Sequence, residues 1–298
     1  MSLRSILSGT GVALITPFKK DSSVDFDALE SLINSVLSNG VEYLVSLGTT
    51  GETSTLSKAE RLEILEFTYN VVGNRVPVVV GIGGNDTRNL IKDLETFPLD
   101  KATAVLSASP YYNKPSQEGL FLHYKALAEA SPVPLLLYNV PGRTGRNISA
   151  STTIKLANEV PNIAGIKEAS DDLNQFMQIV RDRPEHFLVV SGDDALILPQ
   201  IACGADGVIS VAANSFPNKF STMIRLCLAG NFEEARVIHY ELLKGYDLLF
   251  EENNPAGVKA FLHNLGKVEN ILRLPLCPVS DNLNVRIGAY VKSLKGNL

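Results

Sequence analysis

The sequence predicts a closed (β/α)8 barrel of the TIM type, followed by a small C-terminal helical appendage. Three observations carry this prediction. Eight short β-branched apolar runs recur over the first 213 residues. Each is near-continuously apolar rather than alternating, as strands of a parallel sheet buried on both faces are. Helical-period stretches separate them, so run follows run at about 20–35 residues, the size of a βα unit with a right-handed crossover. An open, doubly wound sheet is the alternative assembly of such units, and eight of them point to closure.

In chain order the runs are "GVALIT" (11–16), "VEYLVSL" (41–47), "VPVVVGI" (76–82), "TAVLSAS" (103–109), "VPLLLYN" (133–139), "IAGIKEA" (163–169), "FLVVSG" (187–192) and "GVISVAA" (207–213). Among the intervening helices, "DFDALESLINSVLSNG" is closed by Asn39-Gly40. "SKAERLEILEFTYNVVG" opens on a Ser57/Glu60 capping box and closes at Gly73. "SASTTIKLANEVPN" follows the fifth run. After about residue 230 the strand pattern stops, and "NFEEARVIHYELLKGYDLLF", "NPAGVKAFLHNLG" and "SDNLNVRIGAYVKSL" are all helical in period. Residues 1–230 are therefore read as the barrel. Residues 231–298 form a helical region too small for a secure core of its own, which packs on the barrel or on a neighbouring subunit.

Composition excludes several classes. A chain of 298 residues with 45% hydrophobic and 20% charged residues is an ordinary globular one. Its net charge of −5 argues against a nucleic-acid binder held by electrostatic attraction. Three cysteines without CxxC spacing disfavour disulfides and zinc and fit a reducing compartment. No stretch reads as a signal peptide or a membrane span, so the expected location is cytoplasmic.

In a barrel of this kind the active site is built at the C-terminal ends of the strands. Lys167 stands at the end of an apolar run, on one face with Ile163 and Gly165 if the period of two holds. Desolvation lowers a lysine's pKa and yields an amine able to form a Schiff base with a carbonyl. A rim lysine paired with Glu168 or Asp171 is the alternative. Thr49 and Thr50 in "GTTGE" (48–52) offer hydroxyls beside backbone N–H groups suited to a carboxylate, although Thr49-x-x-Glu52 also reads as a capping box. Tyr138 ends an apolar strand and can relay protons, or it is a core tyrosine bonded to backbone. Tyr111-Tyr112 in "SPYYNKP" are strand-end site candidates or plain surface aromatics. Arg143, in a glycine-flanked loop, is a carboxylate clamp or a solvated arginine. Asp193 and Asp194 read as helix caps rather than metal ligands, and the four histidines have no ligand spacing. Lyase or aldol chemistry here is expected to need no metal, with the Lys167 amine as electron sink.

Together, "GTTGE", "SPYYNKPSQEG" (109–119), "YNVPGRTG" (138–145), "GIKEAS" (165–170) and "SGDD" (191–194) closely resemble the dihydrodipicolinate synthase family, within the pyruvate-dependent class I aldolase superfamily that includes N-acetylneuraminate lyase. The resemblance runs the whole length, through "NPAGVKAFLHNLG" and "RLPLCPVSD" in the tail. It implies a Schiff base of pyruvate on Lys167 and a proton relay of Tyr138, Thr49 and Tyr112, the last supplied by a partner subunit. Thr50 would hold the pyruvate carboxylate, Arg143 the carboxylate of L-aspartate 4-semialdehyde, and Gly192 and Ile209 would line the pocket. It further implies no cofactor, a place in diaminopimelate and lysine biosynthesis, and a homotetramer built from tight dimers. Thr49-Thr50 together with "GRTG" favour this branch over the sialate lyases, and a non-enzymatic barrel would be expected to lack Lys167 or Tyr138. In lysine-inhibited relatives an interface pocket binds lysine through a histidine and a glutamate, among others. Here Lys58, Arg61 and Asn89 stand at the matching positions, with Ser54, Asn85 and Tyr111 beside them, which predicts weak or absent feedback by lysine.

Overall fold

The computed structural model describes residues 2–294, and in it eight parallel strands close on themselves in sequence order. They are β1 (Gly9–Ala13), β2 (Tyr43–Ser46), β3 (Val78–Gly81), β4 (Ala104–Ala108), β5 (Leu135–Asn139), β6 (Ile163–Glu168), β7 (Leu188–Ser191) and β8 (Gly207–Ser210). β1 pairs with β2 through Gly11↔Tyr43 and with β8 through Gly9↔Gly207, which excludes the open sheet. The helices are α1 (Leu3–Ile6), α2 (Phe26–Ser38), α3 (Lys58–Val72), α4 (Thr87–Thr96), α5 (Gln117–Ala130), α6 (Pro141–Thr144), α7 (Ala150–Glu159), α8 (Leu173–Asp182), α9 (Ile197–Ala202), α10 (Pro217–Leu228), α11 (Phe232–Phe250), α12 (Ala256–Asn264) and α13 (Asp281–Leu294). The Ser57/Glu60 capping box opens α3, and Gly73, at φ 55°, closes it in the left-handed region. Among the described residues, no helix is long and apolar enough to cross a membrane.

Two readings of strand geometry are corrected. The first strand is Gly9–Ala13, not 11–16. Its start, Gly9-Thr10, lacks large apolar side chains, but the Gly9 N–H bonds the Asp206 carbonyl and so joins the ladder beside β8. The period of two also fails in β6, because a bulge shifts the register between Leu135↔Ile163 and Leu136↔Gly165. Ile163 therefore joins Ile166 in the apolar layer between strands and helices, while Gly165 stays inside, where a Cβ would lie 3.1 Å from Leu136 Cδ2. The barrel interior is a second cluster, including Val45, Val79, Leu106, Leu136, Val190 and Ile209, that fills the lumen below the strand ends. Tyr43 lies across it against Gly11, where a Cβ would come within 2.2 Å of its ring.

The tail begins at Asn231, directly after the Gly230 turn, and its Leu242, Leu249, Phe261 and Ile287 belong to the same apolar layer as the barrel helices. Residues 295–298 of the expected appendage lie outside the described residues. Polar anchors add to the packing. Lys259 of α12 forms an ion pair with Glu52, both fully buried, and its Nζ donates to the Ile271 carbonyl at 2.8 Å. Burial pulls the Lys259 amine down to about 8, against the opposing pull of Glu52. The Arg273 backbone N–H also reaches Glu52 at 3.2 Å, while its guanidinium grips Glu60 of α3 at 2.6 and 3.0 Å.

Two stability predictions follow from these anchors. Removing Lys259 alone strands a buried carboxylate, so Lys259→Met should cost about 3–5 kcal/mol in urea unfolding. The double variant with Glu52→Leu should recover much of that loss, and a double variant no better than the single would contradict the account. Hydrogen bonds from Arg273 hold the Glu60 carboxyl at about 2, below its ordinary 4.5. A depressed carboxylate contributes stability above the unfolded value and loses it as pH falls through the folded one. Unfolding curves between pH 4.5 and pH 2 should therefore be shallower in pH for Glu60→Gln than for the parent chain.

Candidate active site

The strand-end motifs converge on one face of the barrel, around a cleft of about 1150 Å³. Thr49, Thr50, Tyr138, Arg143, Lys167, Gly192 and Ile209 all line it. Tyr112 does not. It stands on the loop after β4 at φ 69°, 90% exposed, while its neighbour Tyr111 lines the cleft.

Lys167 is seated by β6 opposite Tyr138 of β5, in direct register, and its Nζ lies 4.3 Å from the centre of the Tyr138 ring. The residue is only 5% exposed. Among the described residues no carboxylate pairs with it, so the rim ion pair with Glu168 or Asp171 does not form. Alternation along the strand sends Glu168 to the opposite face. There its oxygens accept from Asn139 Nδ2 at 3.0 Å, the Ser170 N–H at 2.8 Å and Gln175 Nε2 at 3.2 Å, while burial pushes its carboxyl up. Gly192, just past β7, makes room for the lysine. A Cβ there would sit 2.8 Å from Lys167 Cε and 2.5 Å from Ala169 Cβ.

Thr49-Thr50-Gly51 form a single 3-10 turn after β2, and the capping-box reading of Thr49 and Glu52 is overturned. No side-chain cap forms there. Glu52 instead adopts φ 54° and turns its carboxylate inward to Lys259, because the tail supplies a buried cation that local sequence does not announce. The turn is held from three sides. Thr16 Oγ1 donates to the Gly51 carbonyl at 2.7 Å, Thr53 Oγ1 to the Leu47 carbonyl at 2.7 Å, and Asn254 Nδ2 to Thr50 Oγ1 at 3.0 Å. Thr49 is left open to the cleft, and no hydrogen bond joins it to Tyr138 among the described residues.

Arg143 sits on α6, and its Nη2 donates to Asn253 Oδ1 and to the Asn254 carbonyl, each at 3.1 Å. Asp193 accepts from the Ala195 and Leu196 N–H groups at 2.8 and 3.0 Å in the turn before α9, and the expected helix caps are corrected, because no side chain caps α9 and Asp194 turns to the segment after β8. Asp194 is buried and accepts from Val211 and Ala212 N–H after β8, and desolvation pushes its carboxyl up to about 6. Among the described residues no three metal-ligating side chains come together. Near the cleft's rim, Lys58 and Arg61 share Asp93 at 2.9 and 3.6 Å, and Asn89 Nδ2 is bonded to Asp86 at 2.8 Å. Sequence reasoning missed Asn253, Asn254, Lys259 and the inward turn of Glu52. The one local signal was the "NNP" turn between two helical stretches.

Comparison with known proteins gives a consistent result. The profile of the Dihydrodipicolinate synthetase family matches residues 6–294. A Flavobacterium psychrophilum protein named 4-hydroxy-tetrahydrodipicolinate synthase is 49% identical over 286 residues, 96% of this chain and 98% of its own length. A Cytophaga hutchinsonii protein of the same name is 52% identical, over 95% of this chain and 96% of its own. Among solved structures, the chloride-inhibited dihydrodipicolinate synthase of Acinetobacter baumannii, complexed with pyruvate, superposes with a TM-score of 0.94. It is 38% identical and is covered over 97% of this chain and 99% of its own.

The contact between Gly192 and Lys167 makes a sharp expectation. Gly192→Ala should fold with a melting temperature within a few degrees of the parent, yet lower kcat/KM at least tenfold by displacing the Lys167 amine. Parental kcat/KM in this variant would show that the close approach has no bearing on the chemistry.

Proposed function

This chain belongs to the dihydrodipicolinate synthetase family, and from that premise we propose that it condenses pyruvate with L-aspartate 4-semialdehyde to 4-hydroxy-tetrahydrodipicolinate, a step of diaminopimelate and lysine biosynthesis. The observation that supports this most is the buried amine of Lys167, without a carboxylate partner among the described residues, facing Tyr138 inside a cleft that also contains two threonine hydroxyls and a guanidinium.

In the proposed path the neutral amine attacks the keto carbon of pyruvate, and loss of water leaves an iminium on Lys167. Its positive nitrogen withdraws electrons, so the methyl group gives up a proton and becomes an enamine. The enamine carbon bonds to the aldehyde carbon of the semialdehyde, whose oxygen takes up a proton to become the hydroxyl. The amino group of that substrate then attacks the imine carbon, displaces Lys167 and closes the ring. The amine itself is the electron sink, so no metal or added cofactor is called for. Thr50 would hold the pyruvate carboxylate and Arg143 the second carboxylate, while Gly192 and Ile209 bound the pocket. Tyr138, Thr49 and a partner's Tyr112 would pass protons in order within a partly dry site. Tyr112 is exposed and outside its own cleft, which suits that role in a homotetramer of tight dimers. We assign the enzyme to the cytoplasm, in keeping with three unpaired cysteines.

A steady-state assay with both substrates tests the proposal. Lys167→Ala should fold normally and lose nearly all turnover, because the covalent step goes. Arg143→Ala should retain pyruvate binding and turn over the semialdehyde poorly. Parental turnover in either variant would show that its assigned role is wrong. Lysine should inhibit weakly or not at all, since Lys58 and Arg61 present two cations against the single carboxylate of Asp93. Inhibition at micromolar lysine would overturn that expectation.

A further inference from the structure

Two asparagines that follow α11, far from the barrel strands in sequence, contact both of the groups assigned to substrate carboxylates. Asn254 is 4% exposed, and its Nδ2 donates to Thr50 Oγ1, itself in a residue 3% exposed. Its backbone carbonyl accepts from Arg143 Nη2, as does Asn253 Oδ1. Asn253 stands at φ 77°, a left-handed conformation that asparagine tolerates better than most residues, and its Oδ1 also accepts the Asn254 N–H at 3.0 Å. One short turn thus grips two side chains that reach the cleft from β2 and β5.

The direction of the Asn254–Thr50 bond matters. A threonine hydroxyl has one proton to give and two lone pairs. With the amide of Asn254 donating, one lone pair is occupied and the proton stays uncommitted. Thr50 Oγ1 donates to no acceptor among the described residues. Arg143 likewise uses only Nη2 in the described contacts, which leaves Nη1 and Nε for a ligand. If the amide were reversed, its oxygen would take the Thr50 proton and the hydroxyl could no longer donate to an anion.

We infer that the Asn253–Asn254 turn is a positioning element for both substrates: Asn254 orients the Thr50 hydroxyl to donate to the pyruvate carboxylate, and the two asparagines aim the Arg143 guanidinium at the second carboxylate. This rests on the roles given to Lys167, Thr50 and Arg143 above. Asn254 touches no reacting atom and acts through Thr50 and Arg143. The helical tail is then part of the active site rather than a wrapping of the barrel.

The test compares Asn254→Ala and Asn254→Asp with the parent chain, reading steady-state KM and kcat and the pyruvate concentration that half-saturates borohydride trapping on Lys167. Loss of one buried hydrogen bond should raise the pyruvate KM about tenfold in Asn254→Ala. Asn254→Asp should be worse, because the introduced carboxylate consumes the Thr50 proton and sets like charge beside the two substrate carboxylates. Its defect should also relax as pH falls and that carboxyl protonates, a response that a merely structural role would not produce. If Asn254→Asp proves unstable in thermal melts, the Asn254→Ala change is repeated in a Thr50→Val background, where it should add no further rise in pyruvate KM. Parental pyruvate affinity in Asn254→Asp, or an undiminished Asn254→Ala effect on top of Thr50→Val, overturns the inference. Absence of pyruvate-dependent label in the parent chain would instead overturn the Schiff-base reading beneath it.

Discussion

The amine of Lys167 is buried against an aromatic ring instead of a carboxylate, and most of the barrel mouth is arranged to keep it so. Its chain neighbour Glu168 is the nearest source of opposite charge in sequence, and the pleat of β6 carries it to the outer face. There Asn139, Ser170 and Gln175 occupy its oxygens. The register of β5 with β6 sets Tyr138 opposite Lys167 and Asn139 opposite Glu168, so the same strand pairing presents the amine inward and hydrogen-bonds its neighbour outward. Gly192 supplies the space into which the lysine stem fits. Neither Tyr138 nor Lys167 can be moved by one position along its strand without turning its side chain to the other face.

The second half of the site depends on the tail. The turn carrying Thr49 and Thr50 is irregular, with left-handed conformations at Leu47 and Glu52 on either side. Such a turn keeps its shape only where its surroundings hold it. The Lys259–Glu52 ion pair, the Arg273 backbone and the Asn254 amide all come from beyond residue 250, and all end on the segment Thr50–Glu52. A buried ion pair contributes little net stability compared with apolar packing, and its value here is in fixing one geometry. The barrel therefore seats Lys167, and the tail holds the turn that carries Thr50.

Much of this was legible in the residues. Eight near-continuous apolar runs announced the barrel, and the polar residues ending them announced Thr49, Thr50, Tyr138, Arg143 and Lys167 of the cleft lining, with Gly192 and Ile209 coming only from the family resemblance. What was not legible has physical causes. β1 begins with small residues whose role is ladder pairing, so hydropathy placed its start two residues late. The β6 bulge is a backbone event that no side-chain period records, and it moved Ile163 to the outer layer. Glu52 looked like a cap because a capping box is a local pattern, whereas its true partner lies 207 positions away in a helix that reads as ordinary. Tyr112 carries no local sign of why it stands exposed.

Borohydride reduction in the presence of pyruvate, followed by peptide mass spectrometry, tests the central claim most directly. The account predicts a single pyruvate-derived adduct on Lys167, depleted when L-aspartate 4-semialdehyde is added before reductant and unaffected by N-acetylmannosamine. Depletion by N-acetylmannosamine alone would contradict the assigned substrate, and an adduct elsewhere, or none, would contradict the role given to Lys167.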